Sequence, residues 1–246
     1  MQSQLVFQEK KERERLRVQN KLLSQAEKPA LEYFFKGKSE LSVLDIGCND
    51  GNRTFQRFSD KRVSRVIGLE YNQELVEKAH RQYGNSKFFF YQMDVESQSF
   101  SKDLQNLVDA SAGGQFDLIC LSFVLMHLLD GKKLLRTLEQ FLKKDGVLFI
   151  TESNDCASTL VPDEKNLLEQ FLDILNQDKY AGRRDTGAKV SGWLADCGYG
   201  HIHVWCQGIS AGKEELERKN QIFQTFFSFQ GRFSFPAMLF SIRKKP

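Results

Sequence analysis

The run Val43-Leu44-Asp45-Ile46-Gly47-Cys48-Asn49-Asp50-Gly51 carries an apolar stretch into a tight turn whose residue types suit ligand binding. Glycine is needed where the backbone takes positive φ or approaches a ligand closely, and Gly47 and Gly51 stand at such points. Asparagine is the next residue best able to enter the left-handed region, so Asn49 keeps the turn and adds an amide. The Asp45 carboxylate suits a cationic ligand group nearby. A dinucleotide fingerprint would want glycines at 47, 49 and 52, whereas Asn49 and Asn52 occupy two of those positions. A carboxylate in the elbow also opposes a pyrophosphate, which prefers an uncharged backbone nest. A plain strand-to-helix turn without a ligand is the alternative.

Further chemistry-bearing residues follow at intervals. Glu70, with Tyr71 beside it, ends a second apolar run about 20 residues after the loop, where a carboxylate can accept both hydroxyls of a ribose. Asp94 follows a third run, and its neighbours Met93 and Val95 serve equally well as ligand-flanking or core residues. Ser122 and Phe123 close a fourth run at the carboxyl edge, where open α/β sheets bind ligands; Asp117 opens that run and belongs to the opposite, structural edge. His127 could take a proton near neutral pH, although a histidine in an apolar turn is often a packing residue. Glu152 and Asn154, with Ser153 and Asp155, end a fifth run and could contact an acceptor or cap the next helix. Arg183, in the segment 180–185, could recognise an anion. The cysteines form no CxxC pair, and no residue cluster has the spacing of a metal site.

The elements that must position these residues alternate. Strand-like runs at 41–46, 65–70, 87–93, 116–122 and 146–152 are separated by amphipathic stretches such as 72–82 and 132–143. That rhythm implies a parallel sheet with helices on both faces. Before it lie an amphipathic helix in the first 25 or so residues and a second short helix starting near Pro29. After it, residues 153–185 are irregular, followed by a helix near 188–197, a strand near 201–207, a helix near 214–229 and a strand at 237–243. The expected division is a helical lid or extension over 1–40 and one α/β domain over 41–246, with 153–185 as a substrate-facing insertion.

Composition narrows the partners. A net charge of +3 over 246 residues is too weak to argue for nucleic acid by itself. Five cysteines, an odd number, point to a reduced, cytoplasmic chain. No apolar segment follows a basic start, and the longest apolar run, 116–129, is too short to span a bilayer.

Taken together, VLDIGCNDG resembles motif I of the class I S-adenosylmethionine-dependent methyltransferases. Residues 41–152 carry that family's successive motifs in order, and 153–246 match in topology alone. The resemblance implies a Rossmann-like three-layer sandwich whose seven-stranded, mostly parallel sheet ends in an antiparallel strand. It implies S-adenosylmethionine as cofactor, held by Asp45, Gly47, Cys48, Asn49, Gly51, Glu70, Tyr71, Met93, Asp94, Val95, Ser122 and Phe123. Asp94 would meet the adenine amino group. His127 matches a histidine that recurs after motif IV in small-molecule enzymes of this type, while Glu152, Asn154 and Arg183 would face the acceptor. A small-molecule acceptor is the first expectation. The loop is also similar to that of RNA phosphate methyltransferases, although their Trp-Ile-His-Leu-Asn element has no match. A catalytically silent S-adenosylmethionine-binding module is the third reading.

Overall fold

The computed structural model describes residues 10–110, 114–159, 163, 165–177, 182–208, 210–212, 215–227 and 237–244. Its elements run α1 (Lys10–Phe35), β1 (Leu41–Ile46), α2 (Asn52–Phe58), β2 (Val63–Glu70), α3 (Gln73–Tyr83), β3 (Phe88–Gln92), α4 (Phe100–Ala110) and β4 (Phe116–Ser122). After the short turn Leu125–His127 come α5 (Gly131–Glu139), β5 (Leu142–Asn154), α6 (Leu167–Gln177), α7 (Thr186–Asp196), β6 (Ile202–Gly208), α8 (Leu216–Phe227) and β7 (Ala237–Lys244).

The sheet order is β3-β2-β1-β4-β5-β7-β6. The first five strands in that order pair parallel, as the strand–helix alternation implies, while β7 runs antiparallel to both β5 and β6. All six residues of β1 are buried, as a strand covered on both faces requires. Successive side chains point to opposite faces, so each strand feeds two cores. Val43, Cys120, Val147 and Phe149 pack with α1, α2 and α3 on one face. Leu44, Ile119, Leu148 and Ile150 pack with α4, α5 and α7 on the other.

Helix starts follow from local chemistry. Asn72 caps α3 through Oδ1, which accepts the Glu74 N–H at 2.9 Å, and Asp130 caps α5 by accepting the Lys133 N–H at 2.9 Å. By contrast, Gly51 occupies the cap position of α2 without a side-chain hydrogen bond, so the first turn of that helix faces the loop with its own N–H groups.

The N-terminal region departs from expectation. Instead of two helices there is one, α1, with Pro29 inside it. A mid-helix proline forfeits one hydrogen bond at a cost of about 3 kcal/mol. Burial of Leu23, Ala26, Ala30, Leu31, Phe34 and Phe35 on both sides of Pro29 offsets that cost and keeps the helix whole. These side chains share a core cluster with β1, β4 and β5, so α1 is packed into the α/β body. The fifth strand is also longer than the run 146–152, because Leu142 already pairs with Phe116 across a register shift. Among the described residues of 153–185, α6 is the longest regular element, and part of the segment lies outside them.

Candidate active site

Strand order reverses direction between β1 and β4, so the loops that leave them diverge and open a crevice at the carboxyl edge. Ile46 and Cys48 are buried, but Gly47 between them is exposed, with φ 72°. A Cβ on Gly47 would stand 2.6 Å from Val124 Cγ2, so only glycine lets the two loops approach this closely. Asn49 takes φ 51°, as the turn reading expects, and Gly51 takes φ 77°. The Asn49 side chain folds back, its Oδ1 accepting the Asp50 N–H at 2.8 Å.

Glu70 reaches across from β2. Its Oε2 accepts the Asn49 N–H at 3.0 Å and its Oε1 accepts the Asn72 N–H at 3.1 Å. Burial raises its pKa, opposed by those backbone donors. With the Tyr71 N–H, three backbone donors engage the carboxylate, and its roughly four lone-pair sites leave room to receive a hydroxyl. Tyr71 beside it is exposed, and Asp94 is exposed at the end of β3 with Oδ1 accepting the Glu96 N–H at 2.9 Å. Met93 and Val95 are half-buried and pack against the second core.

Several expected site residues point elsewhere. The Cys48 side chain is buried in the first core, leaving its backbone alone at the loop. Asp45 is buried and its Oδ2 accepts the Thr54 hydroxyl at 2.6 Å, so the carboxylate ties the loop to α2 rather than lying open to a ligand. Ser122 accepts from Arg57 Nη2 at 2.9 Å. Phe123 holds φ 55°, a strained value for a bulky side chain, and its N–H donates to the Thr151 carbonyl at 2.8 Å. Asp117 sits at the opposite edge, taking the Ser42 N–H at 2.8 Å and the Lys143 ammonium at 2.7 Å, in line with a structural role.

On the β4–β5 side, His127 ends the short turn Leu125–His127 at the crevice mouth. Solvent reaches the ring, yet surrounding protein, together with the positive charges of Arg184 and Arg15, holds its pKa down to about 4. It is therefore a neutral imidazole at pH 7. Glu152 and Arg183, expected as acceptor contacts, are engaged within the protein. Glu152 is wholly buried, with Oε1 accepting the Leu125 N–H at 2.7 Å. The Arg183 guanidinium donates to the Leu128 carbonyl and lies over the Trp193 ring at 5.8 Å. Asn154 is half-buried beneath α7, its Oδ1 without a hydrogen-bond partner.

The sequence reading missed a buried ionic network behind the loop. Glu27 of α1, fully buried, pairs with Arg53 and Arg57 of α2 and accepts the Thr151 hydroxyl at 2.8 Å. Burial would raise the Glu27 pKa, but the two arginines outweigh it and hold the carboxyl below its ordinary range. Burial and the neighbouring Arg57 lower Arg53 to about 10. The available signal was the Arg53–Arg57 spacing of four, one helical turn, directly after the glycine loop.

No group of three or more metal-ligating side chains occurs among the described residues. The residues present fit S-adenosylmethionine: an exposed, Cβ-less loop for the amino-acid end and a carboxylate for the ribose diol. Comparison with known proteins agrees. A family model described as "Methyltransferase domain" matches residues 14–211. Juvenile hormone acid O-methyltransferase of Bombyx mori is 23% identical over 184 residues, covering 71% of this chain and 62% of that protein. The uncharacterized methyltransferase YcgJ of Bacillus subtilis (strain 168) is 28% identical over 143 residues, covering 57% of this chain and 49% of its own. The chain thus spans less than two thirds of either relative. In fold it is similar to Haemonchus contortus phosphoethanolamine N-methyltransferase 2 bound to S-adenosylhomocysteine, with TM-score 0.60 and 17% identity over 90% of this chain and 52% of that one.

The chain belongs to the methyltransferase-domain family. S-adenosylmethionine is the cofactor of that family and the one its glycine loop and Glu70 suit. Glu70→Ala should weaken S-adenosylhomocysteine binding by about 10- to 100-fold, since hydrogen bonds to a charged group contribute roughly 1.5–3 kcal/mol. Isothermal calorimetry with the wild type as reference checks this; equal affinities would remove Glu70 from the site.

Proposed function

We propose that this chain is an S-adenosylmethionine-dependent methyltransferase that methylates an oxygen of a small molecule, with His127 as general base. The observation that carries this reading is the place of His127 at the mouth of the crevice, on the turn that abuts Gly47 through Val124. The bound donor supplies an activated methyl on a sulfonium, so the chain's task is alignment, exclusion of water and proton removal. A hydroxyl acceptor keeps its proton at neutral pH, and an unprotonated imidazole can take it. The Bombyx mori relative is named as an O-methyltransferase of an acid, which supports oxygen as the target atom.

The donor contacts in this reading are the backbone of Gly47, Cys48, Asn49 and Gly51, the Glu70 carboxylate for the ribose, and Tyr71, Met93, Asp94 and Val95 around the adenine. Asp45, Ser122 and Phe123 shape that pocket through Thr54, Arg57 and Thr151. In this reading Arg15 of α1 and the segment 182–184, both close to His127, limit water on that side of the crevice. No helix among the described residues is long and apolar enough to cross a membrane, and Cys48, Cys120 and Cys197, none of them in a disulfide, suit a reducing cytoplasm.

The test is a donor-consumption screen that follows S-adenosylhomocysteine release against hydroxylated and carboxylated small molecules, simple amines and total RNA. Release with an oxygen acceptor, reduced about 100-fold or more in His127→Asn at unchanged donor affinity, is the expected result. Turnover confined to amines or RNA would overturn the assignment, as would full activity in His127→Asn.

A further inference from the structure

Glu152 lies at the end of β5 with no accessible surface. Its Oε1 takes the Leu125 N–H at 2.7 Å, and the N–H groups of Val124 and Met126 also turn toward the carboxyl. These residues lead directly into His127. On its far side the same turn is held by the segment 182–184: the Arg183 N–H donates to the Met126 carbonyl at 2.8 Å, and its guanidinium to the Leu128 carbonyl. Gly182, at φ 73°, passes so near that a Cβ there would stand 3.1 Å from His127 Nδ1. The turn is therefore clamped between a buried carboxyl below and a glycine-bent crossing above.

We propose that Glu152 is a positioning residue for the transfer site: by accepting the Leu125 N–H it fixes the turn that presents His127 to the crevice.

A hydrophobic side chain would fill the same space with less desolvation cost, so a buried carboxyl here needs a reason. The groups facing it are the backbone donors of Val124, Leu125 and Met126, and no charged side chain contributes to its titration. Arg184 is engaged by Asp155, three residues along the chain from Glu152. Burial accordingly pushes Glu152 up to about 8, against the pull of the backbone donors, and it carries a proton at neutral pH. Oε2, which has no hydrogen-bond partner, is the oxygen left to hold that proton, while Oε1 stays an acceptor. The acid thus acts as a neutral peg for three backbone donors. For His127 itself the facing charges are Arg184 and Arg15. If the turn slackens, the ring moves away from both and from the protein around it, and its pKa returns toward the ordinary histidine value. The catalytic consequence rests on the reading of His127 as base; the mechanical coupling does not.

The experiment is an NMR titration of the full chain, labelled with nitrogen-15, with and without saturating S-adenosylhomocysteine. Glu152→Gln keeps a carbonyl oxygen for the Leu125 N–H, and Glu152→Ala removes it. In Glu152→Ala the His127 midpoint should rise by about one unit or more, while in Glu152→Gln it should stay within about 0.3 of wild type. Affinity for S-adenosylhomocysteine should change less than about threefold in both. A second readout needs neither loss of the side chain nor turnover: the Leu125 amide of the wild type should shift with a midpoint near 8, and this should vanish in Glu152→Gln. An unmoved His127 in Glu152→Ala would overturn the proposal, as would an equal displacement in Glu152→Gln. If the alanine variant does not fold, a Leu125 amide that stays flat in the wild type from about pH 6 to 9.5 is decisive against it. Failure of S-adenosylhomocysteine to bind would strike at the proposed function and leave this titration readable.

Discussion

Gly47→Ala should lower affinity for S-adenosylhomocysteine by about 100-fold. Two costs add. An alanine held at the φ of 72° found here loses roughly 1–2 kcal/mol to left-handed strain. The new methyl would also stand 2.6 Å from Val124 Cγ2, and relieving such overlap typically costs about 1–3 kcal/mol. The loop can escape both only by withdrawing from the crevice, which removes the backbone that receives the donor. The two costs can be separated because one has a named partner. In the double variant Gly47→Ala with Val124→Ala, the overlap is gone and the strain stays, so roughly tenfold of the affinity should return. Calorimetry on the wild type, both single variants and the double variant measures this. Independent effects of the two substitutions would mean that the β1 and β4 loops do not form one wall.

Glu27→Ala is expected to be the most destabilising single change outside the apolar core. It would strand Arg53 and Arg57, whose side chains are 15% and 6% exposed, beside each other without their shared carboxylate. Breaking a buried ion pair from one side costs about 3–5 kcal/mol, which for a chain of this size lowers Tm by about 10 °C. The Thr151 hydroxyl would lose its acceptor as well. A triple variant, Glu27→Leu with Arg53→Met and Arg57→Met, should recover most of that loss, because a packed apolar cluster avoids the desolvation of all three charges. Thermal unfolding followed by circular dichroism would show this. A Glu27→Ala variant within about 2 °C of wild type would mean that the network is not formed in solution.

That network also explains where sequence reading stopped. The loop 43–51 was legible because its requirement is local: positive φ at Gly47, Asn49 and Gly51 leaves a residue-type signature. The parallel strands were legible for the same reason, since burial on both faces writes continuous apolar runs such as Leu41–Ile46. Glu27 was not legible, because a glutamate on a helix has a buried partner only once α1, α2 and β5 are packed together. The single helix over Pro29 escaped notice on similar grounds: propensity argues for a break, and tertiary burial on both sides of the proline overrides it. Arg183 and Glu152 read as acceptor contacts because residue type and strand end favour that role. Their hydrogen bonds go instead to the Leu125–Leu128 backbone, a long-range pairing without a sequence mark. The same pairing makes the His127 turn a rigid element, and rigid support is what a proton-transferring group needs.

The central claim is that the crevice between the β1 and β4 loops holds the methyl donor, with the ribose on Glu70 and the amino-acid end at Gly47. A crystal structure of the chain with S-adenosylhomocysteine tests it most directly. The account predicts both ribose hydroxyls within hydrogen-bond distance of the Glu70 carboxylate and the sulfur directed toward the turn that bears His127. A nucleoside bound away from residues 47–51, or a sulfur turned from His127, would contradict it.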